Sequence, residues 1–231
     1  PLGQDARRFF SPLRLDVENG AEGTFSFALA ARDPAGNTTE NPVQYRVTID
    51  RKPPPPPVLT GVPPGGSARD GVELVAESDF PTYYEMTTDG TLPSVPTQDS
   101  EEYTGLMSVA GEQGREILYT MRFLSFDEAE NSSQQSIARF VIDRSPPTAP
   151  GTPRVDYAAD PSITISWAAV GEDKIYYSLA DDGEGSSADF VEYGGPFALG
   201  DHEATESLQM RYFARDKAGN QSDSGALLLE L

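Results

Sequence analysis

The chain has 231 residues and carries 37 Asp+Glu against 17 Lys+Arg, a formal net charge of −20. A surface this acidic repels phosphate backbones and anionic lipid heads, which argues against nucleic-acid and membrane-surface partners. With no cysteine there is no disulfide framework, no thiolate nucleophile and no cysteine zinc site.

The longest aliphatic run near the end, Leu227-Leu-Leu229, falls far short of the roughly 20 apolar residues that span a bilayer as a helix. No basic-then-apolar signal peptide opens the sequence; any such signal was removed or lies outside it. High charge favours solubility. Together with the missing cysteines it points to an exported bacterial protein, periplasmic, cell-surface or secreted, rather than an animal ectodomain. The 21 Gly and 20 Pro, with no long helical periodicity, describe a turn-rich all-β chain.

Residues 1–52 read as the C-terminal half of a truncated domain. Phe10-Ser-Pro-Leu-Arg-Leu15 matches the later segments Tyr103 to Val109 and Tyr193 to Leu199. Those two are preceded by further predicted strands, whereas here almost nothing precedes. The missing strands either belong to a longer polypeptide or come from a partner.

Next comes a strand written three times. Phe25, Phe27 and Leu29 correspond to Tyr119, Met121 and Phe123, and again to Leu208, Met210 and Tyr212. Period-two alternation predicts a half-buried strand. Each copy runs into a turn, Asp33-Pro-Ala-Gly-Asn37, Asp127-Glu-Ala-Glu-Asn131 or Asp216-Lys-Ala-Gly-Asn220. The aspartates lie 94 residues apart (Asp33 to Asp127) and 89 apart (Asp127 to Asp216), the size of one small domain per copy. In the turn the carboxylate is expected to accept backbone N–H bonds, and Gly followed by Asn to supply positive φ. The competing reading is a cation at each aspartate, for which one carboxylate offers few oxygens. Glu130 replaces the glycine in the second copy and puts that turn's geometry in question.

A closing strand follows, Gln44 to Arg51 and Ile137 to Arg144, each ending Ile-Asp-Arg and running into Pro53 through Pro57 or Pro146-Pro147. These tracts read as semi-rigid spacers, with an SH3-type ligand as the alternative.

The second unit, residues 53–145, opens with strands at Gly71 to Ala76 and at Tyr83 to Thr91, the latter ending in Asp89-Gly90. The third, residues 146–231, matches them with Ser162 to Trp167 and Ile175 to Gly183. Trp167 lies in phase with Ile163 and Ile165 and is expected to anchor the core. A last strand covers Ala226 to Leu231. About seven short strands per full unit predict tandem immunoglobulin/fibronectin-III-like β-sandwiches joined by proline-rich linkers.

The motifs Tyr-Tyr-x-x-x-x-Asp-Gly (Tyr83 to Gly90, Tyr176 to Gly183), Tyr103 or Tyr193 with its following glycine, and Ala-x-Asp-x-Ala-Gly-Asn-x-Ser resemble the chitobiase/β-hexosaminidase C-terminal-type domains and related bacterial Ig-like repeats. The resemblance implies an accessory or spacer module with no catalytic residues to carry over.

Nothing in the chain announces a chemistry. The single histidine, His202, sits in Gly200-Asp-His-Glu-Ala204, with no serine elbow beside it. P-loop, dinucleotide and metalloprotease signatures are missing. The acidic stretch Asp181 to Asp189, with Asp182 and Glu184, is the best calcium candidate but lacks EF-hand spacing. Leu124 and Phe126, with Phe213 and Arg215, lie on the outward phase of the repeat strand. They form either a sugar platform or a face covered by a neighbouring strand or domain.

The expectation is therefore a non-enzymatic structural or spacer module with no catalytic, cofactor-binding or metal residues. Its partners would be the neighbouring domains of the same longer chain. The alternative is a carbohydrate- or protein-binding module of an extracellular enzyme or adhesin.

Overall fold

Strands with one apolar face are stable only when that face is buried against a second layer. A computed structural model, describing residues 7–10, 12–157, 163–181, 189–199 and 207–230, shows how the chain does this. β1 (Glu22–Leu29) and β2 (Val43–Asp50) form an antiparallel hairpin by themselves.

The middle sandwich has a three-stranded sheet of β3 (Val58–Thr60), β5 (Gly71–Glu77) and β8 (Met107–Ala110), in the order β3-β5-β8. Its second sheet is β4-β10-β9-β6-β7, from β4 (Ser67–Ala68), β6 (Thr82–Thr87), β7 (Glu101–Glu102), β9 (Glu116–Ser125) and β10 (Ser136–Asp143). The C-terminal sandwich repeats the plan. β11 (Arg154–Tyr157), β12 (Ile163–Ser166) and β15 (Phe197–Leu199) form one sheet, ordered β11-β12-β15. β13 (Lys174–Asp181), β14 (Val191–Glu192), β16 (Ser207–Arg215) and β17 (Gly225–Glu230) form the other, ordered β14-β13-β16-β17. Among the described residues the third unit has the seven strands expected; the second has eight, the extra one being the two-residue edge strand β4.

Each sandwich has its own core. Val72, Leu74 and Ala76 of β5 meet Tyr119, Met121 and Phe123 of β9 and Phe140 and Ile142 of β10. In the C-terminal sandwich Ile165 and Trp167 meet Met210 and Tyr212 of β16 and Leu229 of β17. Trp167 packs against the rings of Tyr177, Tyr193 and Tyr212 at 5.0–5.9 Å, the core anchor that its phase predicts. The Tyr-x-Gly motif has a structural reason. The Tyr103 hydroxyl accepts a hydrogen bond from Ala76 N at 3.0 Å, and the Tyr193 hydroxyl from Trp167 N at 3.1 Å, pinning the loop to the facing sheet.

One expectation is corrected. The repeat strand is not half-buried in the middle sandwich: Thr120, Arg122 and Leu124 on its outer face are buried too. Lateral pairing alone does not account for this, since β16 is also central in its sheet yet leaves Arg211 exposed. The proline tracts, expected as semi-rigid spacers, are packed against protein along one side. Pro54 and Pro57 are buried, as are Pro150 and Pro153. A three-residue spacing repeats one face of a polyproline helix, so each linker lies on protein along one side.

Glu130 adopts φ 64°, the only positive φ among the described non-glycine residues. The turn it closes keeps the geometry of the other two copies: Glu130 N donates to Asp127 O at 3.1 Å, as Gly36 N does to Asp33 O at 3.1 Å and Gly219 N to Asp216 O at 3.2 Å. Left-handed backbone costs an L-residue roughly 1–2 kcal/mol, partly offset by the larger unfolded-state entropy of glycine. Glu130→Gly is expected to stabilise the middle sandwich by about 0.5–1 kcal/mol in urea unfolding. Phe123→Ala, which empties a fully buried site, should cost about 3–5 kcal/mol and leave the C-terminal transition in place.

Candidate functional site

The feature that recurs with the same chemistry in every unit is the Asp-x-x-x-Asn turn between the last two strands. In the first copy Asn37 N donates to Asp33 Oδ1 and Asn37 Nδ2 to Asp33 Oδ2, both at 2.8 Å. Asn131 grips Asp127 at 2.8 and 2.9 Å, and Asn220 grips Asp216 at 2.8 and 2.9 Å. Two residues on, the hydroxyl of Thr39, Ser133 or Ser222 accepts from the strand amide of Ala31, Ser125 or Ala214 at 2.8–3.0 Å. The turn is thus locked at both ends by its own side chains.

An asparagine amide has two hydrogens, and one of them is spent on the aspartate. The second reaches out of the unit. Asn131 Nδ2 donates to the carbonyl of Asp50 at 3.3 Å, and Asn220 Nδ2 to that of Asp143 at 2.9 Å. Asp50 and Asp143 are the aspartates of the two Ile-Asp-Arg endings, so each turn clasps the closing strand of the unit before it.

The strand end is fixed in turn. Asp50 Oδ1 accepts from Lys52 N at 2.8 Å and Asp143 Oδ1 from Ser145 N at 2.9 Å, bending the chain into the linker. Arg51 Nη1 donates to Val17 O at 2.8 Å and Arg144 Nη1 to Gly111 O at 3.2 Å. Asn220 is buried, Asn131 half-buried and Asn37 exposed.

This assigns the turn asparagine a role that sequence reasoning missed. Asn37, Asn131 and Asn220 do not take positive φ, which only the preceding Gly36, Glu130 and Gly219 supply. The signal was present as the paired recurrence of Asp-x-x-x-Asn and Ile-Asp-Arg, one unit apart.

On the outer face of the repeat strand Phe126 is half-buried and Arg215 exposed. Leu124 and Phe213 are buried. Tyr176 stacks on Phe213 at 5.5 Å, Phe190 lies 4.8 Å from it, and the Arg215 guanidinium sits 4.8 Å over Tyr176. The cover comes from the same sandwich rather than from a neighbouring one. Phe190, at 43%, and Arg215 are its exposed members. His202, Asp182 and Glu184 lie outside the described residues, as does the side chain of Asp181; Asp189 is exposed. Among the described residues no group of three or more His, Cys, Asp or Glu is placed to hold a metal, and no helix is long and apolar enough to cross a membrane.

The strand order, the two separate cores and the hairpin-linked final strands define an all-β, immunoglobulin/fibronectin-III-like sandwich protein. No family model matches the sequence, and no curated protein matches it. Among solved structures, the chain is similar to the FN1–FN3 domains of chicken CNTN1 at 15% identity, over 90% of this chain and 75% of that one, with a TM-score of 0.41. It is similar to a two-domain fibronectin type-III segment of chicken tenascin at 12% identity, over 76% and 99%, with a TM-score of 0.34. It is also similar to a chain of a cytokine receptor complex at 13% identity, over 75% and 96%, with a TM-score of 0.34.

The Asn37 side chain, followed by its backbone amide, holds the Asp33 carboxyl below its ordinary value. A carboxylate depressed in the folded state contributes stability that is present above its unfolded value and lost as pH falls through the folded one. In a carboxyl-detected NMR titration the Asp33 midpoint should lie below that of a free aspartate, and Asn37→Ala should raise it.

Proposed function

We propose that the chain is a non-catalytic structural or binding module of an exported protein, built to hold successive sandwiches in a set relation to one another. The carrying observation is the pair of joints, Asn131 Nδ2 to Asp50 O and Asn220 Nδ2 to Asp143 O. A joint made of a side chain from one unit, a carbonyl from the previous one and a linker buried along one side favours fixed presentation over free tethering. The domain limits that go with this reading are 1–52, 53–145 and 146–231. The Tyr-Tyr-x-x-x-x-Asp-Gly and Asp-x-Ala-Gly-Asn motifs support the narrower reading of a bacterial cell-envelope module of the chitobiase C-terminal type.

A second reading, adhesion or ligand binding, is favoured by the Phe190, Tyr176, Phe213 and Arg215 stack. A ring 43% exposed and backed by stacked aromatics and a guanidinium is a surface on which a sugar face or an aromatic side chain can lie. On this reading the joints serve to present that surface.

Asn220→Asp removes the donor and sets a second carboxylate beside Asp216 and the Asp143 carbonyl. In the unaltered chain the middle and C-terminal sandwiches are expected to share one rotational correlation time by 15N relaxation; in the variant they should separate and tumble faster. Independent tumbling of the unaltered chain would sink the presentation reading. For the second reading, glycan-array binding that disappears in Phe190→Ala is the expected outcome, and a clean negative array with the unaltered chain removes the sugar ligand.

A further inference from the structure

The outer face of the larger sheet can be compared position by position between the two sandwiches, because their ladders share one register. Tyr176 stands between Glu192 and Phe213 as Tyr83 stands between Glu102 and Leu124, and Ser178 lies opposite Arg211 as Glu85 lies opposite Arg122. Phe190 and Ser100 each fall two residues before the edge glutamate.

The same positions hold different chemistry. In the middle sandwich a glutamate stands across from the arginine, the Ser100 hydroxyl donates to Glu85 Oε1 at 2.6 Å, and Arg122 is only 7% exposed. In the C-terminal sandwich Ser178 takes the place of the glutamate, the exposed Phe190 takes the place of Ser100, and Arg211 is exposed. No carboxylate among the described residues pairs with Arg211. Its neighbour on β17 is Ala226, and Glu230 lies four residues further along that strand, about 13 Å at the rise of a strand. Arg215 stands directly opposite Lys174 in the ladder, and like charges so placed repel. Glu192 neutralises Lys174 at 3.0 Å, which leaves the two guanidinium groups of β16. They flank Phe213, each about 7 Å away along the strand.

We propose that this outer face of β13, β14 and β16 is a site for an acidic sugar carrying a single carboxylate. The proposal rests on the ligand-binding reading above and names its ligand class. The sugar ring lies on Phe190, backed by Phe213 and Tyr176, and its carboxylate stands opposite Arg211 as that of Glu85 stands opposite Arg122. One carboxylate suits the face better than a polyanion does. Two guanidinium groups attract it within the screening distance of about 8 Å at physiological salt, whereas the net charge of −20 repels a longer anionic polymer.

The test titrates the full chain with methyl β-glucuronide and methyl β-glucoside, which differ only in a carboxylate against a hydroxymethyl group, and follows the backbone amides by 15N-resolved NMR. The amides of Phe190 and Arg211 are expected to shift with the glucuronide, which should bind about fivefold more tightly than the glucoside. Arg211→Gln, at an exposed position, should remove that preference. Ser178→Glu, which supplies the acid that the middle sandwich has there, should do the same, and neither variant should change the glucoside affinity. Equal affinity for the two sugars in the unaltered chain, or a preference that survives Arg211→Gln, overturns the acidic-sugar site and leaves the broader ligand-binding reading standing. Binding of neither sugar overturns this site and the sugar reading together. An N-acetylated glutamate amide that binds as tightly as the glucuronide overturns the sugar in favour of an acidic peptide.

Discussion

The second hydrogen of an asparagine amide is the constraint on which this architecture turns. Asn220 Nδ2 is held by Asp216 Oδ2 at 2.9 Å, and because that bond fixes the amide plane, the remaining N–H has one direction to point. It points at the Asp143 carbonyl, also at 2.9 Å. A typical hydrogen bond contributes only about 0.5–1.5 kcal/mol net. Leaving a buried amide hydrogen or carbonyl unpaired costs more than the bond returns, so at a buried residue such as Asn220 the geometry is enforced by that penalty. The Asp-Asn grip, the Ser222 hydroxyl and the bend made by the Asp143 carboxylate all serve to bring that one donor and one acceptor together.

The three copies act as internal controls on this reasoning. Where a unit precedes, as for Asn220 and Asn131, the asparagine loses exposure; Asn37, with no such neighbour among the described residues, is exposed yet makes the same two bonds to its aspartate. The turn therefore forms by local chemistry and is available before it is used. Glu130 makes the same point. A residue that disfavours positive φ takes it at 64° because the Asp127–Asn131 grip and the flanking ladder outweigh the strain.

Much of the fold was legible in the sequence because it rests on local periodicity. The alternation of Tyr119, Met121 and Phe123 was enough to place β9, and the phase of Trp167 with Ile163 and Ile165 was enough to put it in the core. What was not legible depends on neighbours distant in sequence. Nothing in the polar run Thr120, Arg122 announces that the outer face of β9 is also covered. The role of Asn131 and Asn220 was hidden for a related reason: the local pattern explained Asn as a turn residue, and that explanation was sufficient without being complete. The acceptor lies in the preceding unit, 81 and 77 residues away.

The linkers give the joint its lever. Five consecutive prolines cannot contribute amide donors and resist bending, so residues 53–57 transmit the direction in which Asp50 leaves the hairpin. Pro57 is then caught from the far side, its carbonyl accepting from the Ser136 hydroxyl at 2.5 Å. The short stretch between Asp50 and Pro57 is thus held at its beginning by Asn131, near the start of the same strand-to-strand connection whose end supplies Ser136. Two attachment points on one rigid hairpin fix an angle as well as a distance. A single contact would leave the linker free to swivel about it. It is the pairing of a stiff linker with two anchors on one element that distinguishes a set joint from a tether, and each part is too weak to make that distinction by itself.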